Sequence, residues 1–127
     1  MAKINQPRPT DAELEILCVL WQRGASTVRE VHEALTKPTG YTTVLKLMQI
    51  MAEKGLVRRD EEQRAHVYQA RVPQQQTQRQ MVRDLLKRAF DDSAAQLVMQ
   101  ALASKKTSPE ELAEIRQLLD EFERGDK

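Results

Sequence analysis

Aromatic side chains make up only 4% of the 127 residues, cysteine occurs once, at Cys18, and no apolar run approaches the length of a membrane span. Each shortage excludes something. With so few rings the core has to come from Leu, Val, Ile, Met and Ala, and a large ring-lined ligand pocket is disfavoured. One cysteine closes neither an internal disulfide nor a cysteine-based metal cage, and it suits a reducing compartment, the cytoplasm. Met1 to Thr10 show no apolar leader segment, and nothing predicts membrane insertion. A dominant charge is missing as well. Twenty Lys and Arg against nineteen Asp and Glu leave +1, so any nucleic-acid contact has to come from a local patch. No phosphate loop, nucleophile elbow or converging acid pair is visible, so no catalytic residue, enzyme activity or cofactor is expected. His32 and His66 fall in different elements without ligand spacing, so no metal site is expected either.

What is present is helical punctuation. Residues 1–9, with Pro7 and Pro9, read as a loose arm. Thr10 and Glu13 have capping-box spacing, and Leu14, Leu17, Cys18 and Trp21 follow as an apolar stripe that ends at Gly24. On this reading Cys18 is a buried small hydrophobe and Trp21 a core residue. Thr27 and Glu30 repeat the box ahead of Val28, Val31 and Leu35, and Pro38 and Gly40 break this second helix, whose polar face takes His32. A third helix is predicted from about Tyr41 to Lys54, capped by Gly55. The period then changes. Leu56 to Arg59 and His66 to Ala70 read as strands around the polar run Asp60-Glu61-Glu62-Gln63-Arg64, a β-hairpin with a charged tip. Three short-linked helices followed by a hairpin make a winged helix-turn-helix. Val72-Pro73 closes this part, and Gln74-Gln75-Gln76 reads as a polar joint.

The remainder is helical. Met81, Leu85, Leu86, Ala89 and Phe90 form one apolar face, and Leu97, Val98, Ala101 and Leu102 a second. Ser108-Pro109-Glu110-Glu111 is a helix start, followed by Leu112, Ile115, Leu118, Leu119 and Phe122. Three such helices are too few and too short to enclose a core, so the stripes need a partner, and a second copy is the simplest one. The expected fold is mainly α with a small β-hairpin wing. Residues 1–73 would form a winged helix-turn-helix DNA-binding domain and residues 74–127 a helical dimerisation domain. Its contacts would be Met81, Leu85, Leu86, Phe90, Leu97, Val98, Leu102, Leu112, Ile115, Leu119 and Phe122.

Projected at about 100° per residue, the third helix places Val44, Leu47, Met48 and Met51 toward the core and Thr42, Lys46, Gln49 and Glu53 opposite. Thr, Lys and Gln suit phosphates and base edges in a major groove, and Tyr41 and Thr43 at the helix start suit backbone contacts. Leu45 and Ile50 lie at the edges of the polar face. Both are expected to extend the core contact, with thymine methyls as the alternative. Arg64 at the hairpin tip, with Arg58 or Arg59, would clamp flanking phosphates, although Asp60, Glu61 and Glu62 oppose a strongly cationic wing. His66 is placed on the surface or at the DNA flank. A solvated amphipathic helix is the plain alternative for residues 41–54, and a winged-helix protein-interaction module or a ligand-responsive regulator the alternatives for the chain.

Tyr41-Thr42-Thr43-Val44 followed by Glu53-Lys54-Gly55-Leu56-Val57 resembles the recognition helix of the penicillinase-repressor (BlaI/MecI/CopY) family. Thr10 to Leu17 with Leu20-Trp21 resembles its first helix, Thr27-Val28-Arg29-Glu30-Val31 its second, and Arg64-Ala65-His66-Val67-Tyr68 its wing. The resemblance is strongest over residues 10–70. It implies a homodimer on a palindromic double-stranded DNA operator, held together by the C-terminal helices, and repression relieved through a membrane sensor-protease system. The segment cut in antibiotic-resistance members corresponds to Gln100-Ala101, where their Asn-Phe pair is absent. The C-terminal cysteine motif of the copper-responsive branch is absent too. At Ile50 the family often carries a basic residue, which implies an altered phosphate contact or operator preference.

Overall fold

Thr10 lies in extended backbone, its hydroxyl accepting from the Glu13 N–H and its own N–H donating to the Glu13 carboxylate at 3.0 Å. Both bonds of the capping box are therefore made, and α1 (Asp11–Arg23) starts on them and ends at Gly24. Ser26–Thr27 form a short strand, β1, and Thr27 repeats the box with Glu30 to open α2 (Val28–Ala34). After residues 35–40 comes α3 (Tyr41–Lys54). Gly55 stops it at φ +86°, a left-handed conformation that strains any residue with a Cβ. The next N–H, of Leu56, donates back to the Met51 carbonyl at 2.9 Å, turning the chain into β2 (Val57–Asp60).

The hairpin is completed by β3 (Val67–Ala70), with Arg59 opposite Tyr68 and Val57 opposite Ala70. β1 adds to the other edge of β3, pairing Ser26 with Tyr68, so the antiparallel sheet runs β1-β3-β2. Three helices follow: α4 (Gln74–Ala89), α5 (Ala94–Ala103) and α6 (Pro109–Glu123). This is a mainly helical protein with a small β wing. The computed structural model describes residues 8–62 and 64–125. Pro7 of the expected arm, Gln63 of the hairpin tip and the last two residues lie outside them. The chain divides into two compact units, one ending at Gln80 and one beginning at Met81.

The first unit has a closed core. Ile16, Leu17, Val19 and Leu20 of α1 meet Val28 and Val31 of α2, Val44, Met48 and Met51 of α3, and Leu56, Val57 and Tyr68 of the wing. The buried side of α1 differs from the expected one. Glu13, Ile16, Leu17 and Leu20 share the spacing of Leu14, Leu17, Cys18 and Trp21, shifted by one residue, and periodicity alone does not separate them. A polar residue decides it: Glu13 is 2% exposed. Cys18 is consequently exposed rather than buried. Trp21 is half-buried against the core, with its indole N–H donating to the Val72 carbonyl at 3.0 Å.

Three further expectations are corrected. Gln74 to Gln76 is no joint but the first turn of α4, anchored by the Thr77 N–H on the Pro73 carbonyl at 3.1 Å, with Thr77 buried. His32, expected on the polar face of α2, is half-buried there. Leu45 does pack on the core, but Ile50 is exposed.

Glu13 is tolerated inside because it is fully partnered. Besides the Thr10 bonds, it accepts from Lys54 Nζ at 2.7 Å, and that ammonium also donates to the Arg8 carbonyl at 3.3 Å. Burial raises the carboxyl's pKa, but the Lys54 ammonium and the Thr10 donors outweigh it and leave Glu13 below the ordinary carboxylate value. A group whose folded pKa is depressed contributes stability above its unfolded pKa, and that contribution is lost as pH falls through the folded one. Lys54→Met, which strands the buried carboxylate, should destabilise the chain by roughly 2–4 kcal/mol at pH 7, tempered by the partial exposure of Lys54. Urea melts across pH 3–7 check this. The wild type should lose stability toward the acid end more steeply than Glu13→Gln, and parallel curves would refute the role given to the carboxylate.

Candidate nucleic-acid interface

The exposed face of α3 carries Thr42, Thr43, Lys46, Gln49, Ile50 and Glu53, with Tyr41 at its first turn. The face exists because the opposite side of the helix, Val44, Met48 and Met51, is fully buried. His32 sits beside the start of the helix. Its Nε2–H donates to the Thr39 carbonyl at 2.7 Å, and its ring meets Tyr41 edge-on with centroids 5.8 Å apart. These contacts tie the chain between α2 and α3 to both helices, so His32 is half-buried for a structural reason.

Beside α3 lies a cleft of about 460 Å³. Tyr41, Leu45 and Gln49 line one wall, Thr27, Val28 and Arg29 another, and Arg59, Arg64, Ala65, His66 and Tyr68 of the hairpin the third. Of the residues expected to touch DNA, the structure brings Tyr41, Gln49 and Arg64 together in this cleft. Thr42, Thr43 and Lys46 stand exposed on α3 outside its lining.

Three arginines, Arg29, Arg59 and Arg64, converge here from α2 and the hairpin. Arg59 is the best held. It stands opposite the buried Tyr68 on the strand pair and donates to the Glu61 carboxylate, and these two neighbours raise its pKa above the ordinary arginine value. Of the acidic residues of the wing, Glu61 pairs with a cleft arginine, while Asp60 and Glu62 are not part of the lining. They line a neighbouring depression with Arg58 and Gln69, which shares Arg59 with the cleft, and Asp60 accepts from the Glu62 N–H at 3.0 Å. Strand alternation puts Arg58 and Asp60 on the opposite face of β2 from Arg59.

Arg29 carries only a faint signal in the sequence: a basic residue in the first turn of α2, where an acidic one is favoured. His66 was placed at the surface, and it is exposed and lines the cleft. Tyr68 was read only as a strand residue. Its aromatic ring on a short strand could have identified it as core. Among the described residues no group of three or more His, Cys, Asp or Glu is placed to hold a metal ion, and no helix is long and apolar enough to cross a membrane.

The profile of the family described as penicillinase repressor matches residues 9–121. The penicillinase repressor of Bacillus licheniformis is 25% identical over 123 residues, covering 95% of this chain and 96% of that protein. The transcriptional regulator BlaI of Mycobacterium tuberculosis is 32% identical over 128 residues, covering 98% of this chain and 91% of that protein. The solution structure of the DNA-binding domain of the repressor BlaI aligns with 29% identity and a TM-score of 0.49, over 58% of this chain and 90% of that one. With its capped helices, its wing and a match that spans nearly its whole length, the chain belongs to the penicillinase repressor family.

Proposed function

We propose that this chain is a transcriptional repressor that binds a palindromic double-stranded DNA operator as a homodimer, with α3 in the major groove. The observation that carries this reading is the convergence of Arg29, Arg59 and Arg64 on one cleft beside the exposed face of α3. Thr42, Lys46 and Gln49 would meet base edges and phosphates, Tyr41 and Thr43 the backbone at the helix start, and the arginines the flanking phosphates. A net charge of +1 makes this local concentration of cations the source of affinity. The protein is a repressor and not an enzyme, acting where its operator is, in the cytoplasm.

The second unit supplies the homodimer. None of its described residues is buried. Met81, Val82, Leu85, Val98, Met99, Leu118, Leu119 and Phe122 are 40–61% exposed. Apolar surface on that scale, spread over three helices, needs a partner, and a second copy offers the same stripes. Leu86, Phe90, Leu97, Leu102, Leu112 and Ile115 are half-buried along those helices and would complete the interface. Joining two reading units turns the second half-site contact into an intramolecular event, which multiplies affinity. Release of the operator then runs through this unit. A signal that separates the helices, a membrane sensor-protease system included, removes that multiplication. Gln100-Ala101 is exposed on α5 and available to it.

Three measurements follow. Lys46→Ala combined with Arg64→Ala should weaken binding to the duplex upstream of the chain's own gene by at least about tenfold in a gel shift; unchanged affinity would sink the proposed reading face. Arg59→Ala should lower the slope of log K against log salt by about 0.9 if its guanidinium neutralises one phosphate, and an unaltered slope would remove it from the contact. Leu119→Glu with Phe122→Glu should convert a sedimenting dimer into a folded monomer, and a dimer that survives both charges would place the interface elsewhere.

A further inference from the structure

Among the described residues up to Gln80, the large apolar side chains left exposed are Tyr41 at 46% and Ile50 at 36%, and both stand on α3. Tyr41 is accounted for by its contact with His32. Ile50 is not. Leu45 and Leu47 of the same helix pack against the core cluster, and Ile50 is not among the residues that do. At about 100° per residue, Ile50 lies about 40° around the helix from Lys46 and about 6 Å further along it. It therefore shares the exposed face with Lys46, Gln49 and Glu53.

An isoleucine has no donor or acceptor for a phosphate or a base edge, and leaving it in water forfeits the gain of burying it. The major groove presents one apolar group of its own, the C5-methyl of thymine. Cytosine in the same place presents an amino donor, which a branched hydrocarbon would desolvate without accepting a bond. We propose that Ile50 is a specificity-determining residue that packs on a thymine methyl in each half-site. That thymine lies close to the position reached by Lys46, since the two side chains are about 6 Å apart along one helix face. This rests on the reading of α3 as the helix in the groove.

The test uses the full chain and duplexes it selects from a pool with a randomised core. Each thymine of a selected duplex is replaced singly by deoxyuridine, which removes the methyl and nothing else. Wild type, Ile50→Ala and Ile50→Thr are titrated against the set by fluorescence anisotropy, after thermal melts establish that each variant folds. At one thymine per half-site the wild type should bind about three- to fivefold more weakly once the methyl is gone, the scale of one lost methyl contact. Ile50→Ala, and Ile50→Thr to a smaller degree, should be insensitive to that replacement. If every thymine-to-deoxyuridine change affects wild type and both variants equally, the methyl contact is excluded. Lys46→Ala separates the two levels of the argument. If it loses affinity while no thymine couples to Ile50, only the methyl contact is overturned. If no duplex is selected, or Lys46→Ala binds like wild type, the reading helix itself is wrong and the assignment of Ile50 falls with it.

Discussion

A charged carboxylate inside the first unit sets the geometry on which the rest depends. Glu13 is 2% exposed, as buried as the leucines around it. An ionised group there would be costly were it not shared between the N-cap of α1 and the last residue of α3. Thr10 and Lys54 are far apart in sequence, and Glu13 bonds both. The C-terminal end of α3 is thereby pinned to the N-terminal end of α1. With Val44, Met48 and Met51 buried below, the direction in which Thr42, Lys46 and Gln49 face is settled.

The few rings of this unit act as struts. Trp21 reaches from α1 to the Val72 carbonyl and so fixes the chain where it leaves the wing. Tyr68 is buried as an apolar body directly opposite Arg59, at the cleft that both line. Tyr41 takes the edge of His32 at the start of α3, and His32 also holds the Thr39 carbonyl. An aromatic side chain that buries its ring and uses its polar atom serves both packing and positioning. A protein with 4% aromatics has spent three of them on the elements that frame one surface.

The two units differ in how they reach stability. The first closes a core within one copy. The second has none of its described residues buried, although its helices are well punctuated: Ser93 and Ser108 cap α5 and α6, and Asp91 and Asp92 adopt left-handed backbone between α4 and α5. Secondary structure is complete there before tertiary burial is. That exposed apolar surface is the observation behind the proposal that the second unit associates with a copy of itself.

Local chemistry was legible in the sequence because it acts over short spans. The capping boxes at Thr10 and Thr27, the Gly55 stop, the Ser108-Pro109 start, the extent of α3 and the hairpin after it all follow from interactions within a few residues. So did the division of α3 into a buried and an exposed side. Tertiary structure alone decided which of two equally spaced stripes of α1 faces inward, because that depends on Lys54, distant in the chain. It exposed Cys18, half-buried His32 and left Ile50 outside the core, since burial is set by neighbours that periodicity does not name. It also gathered Arg29, Arg59 and Arg64 into one cleft and left Asp60 and Glu62 outside its lining, with Glu61 paired to Arg59. Net charge and composition are blind to that separation, because it comes from strand alternation and from the way α2 and the hairpin flank α3.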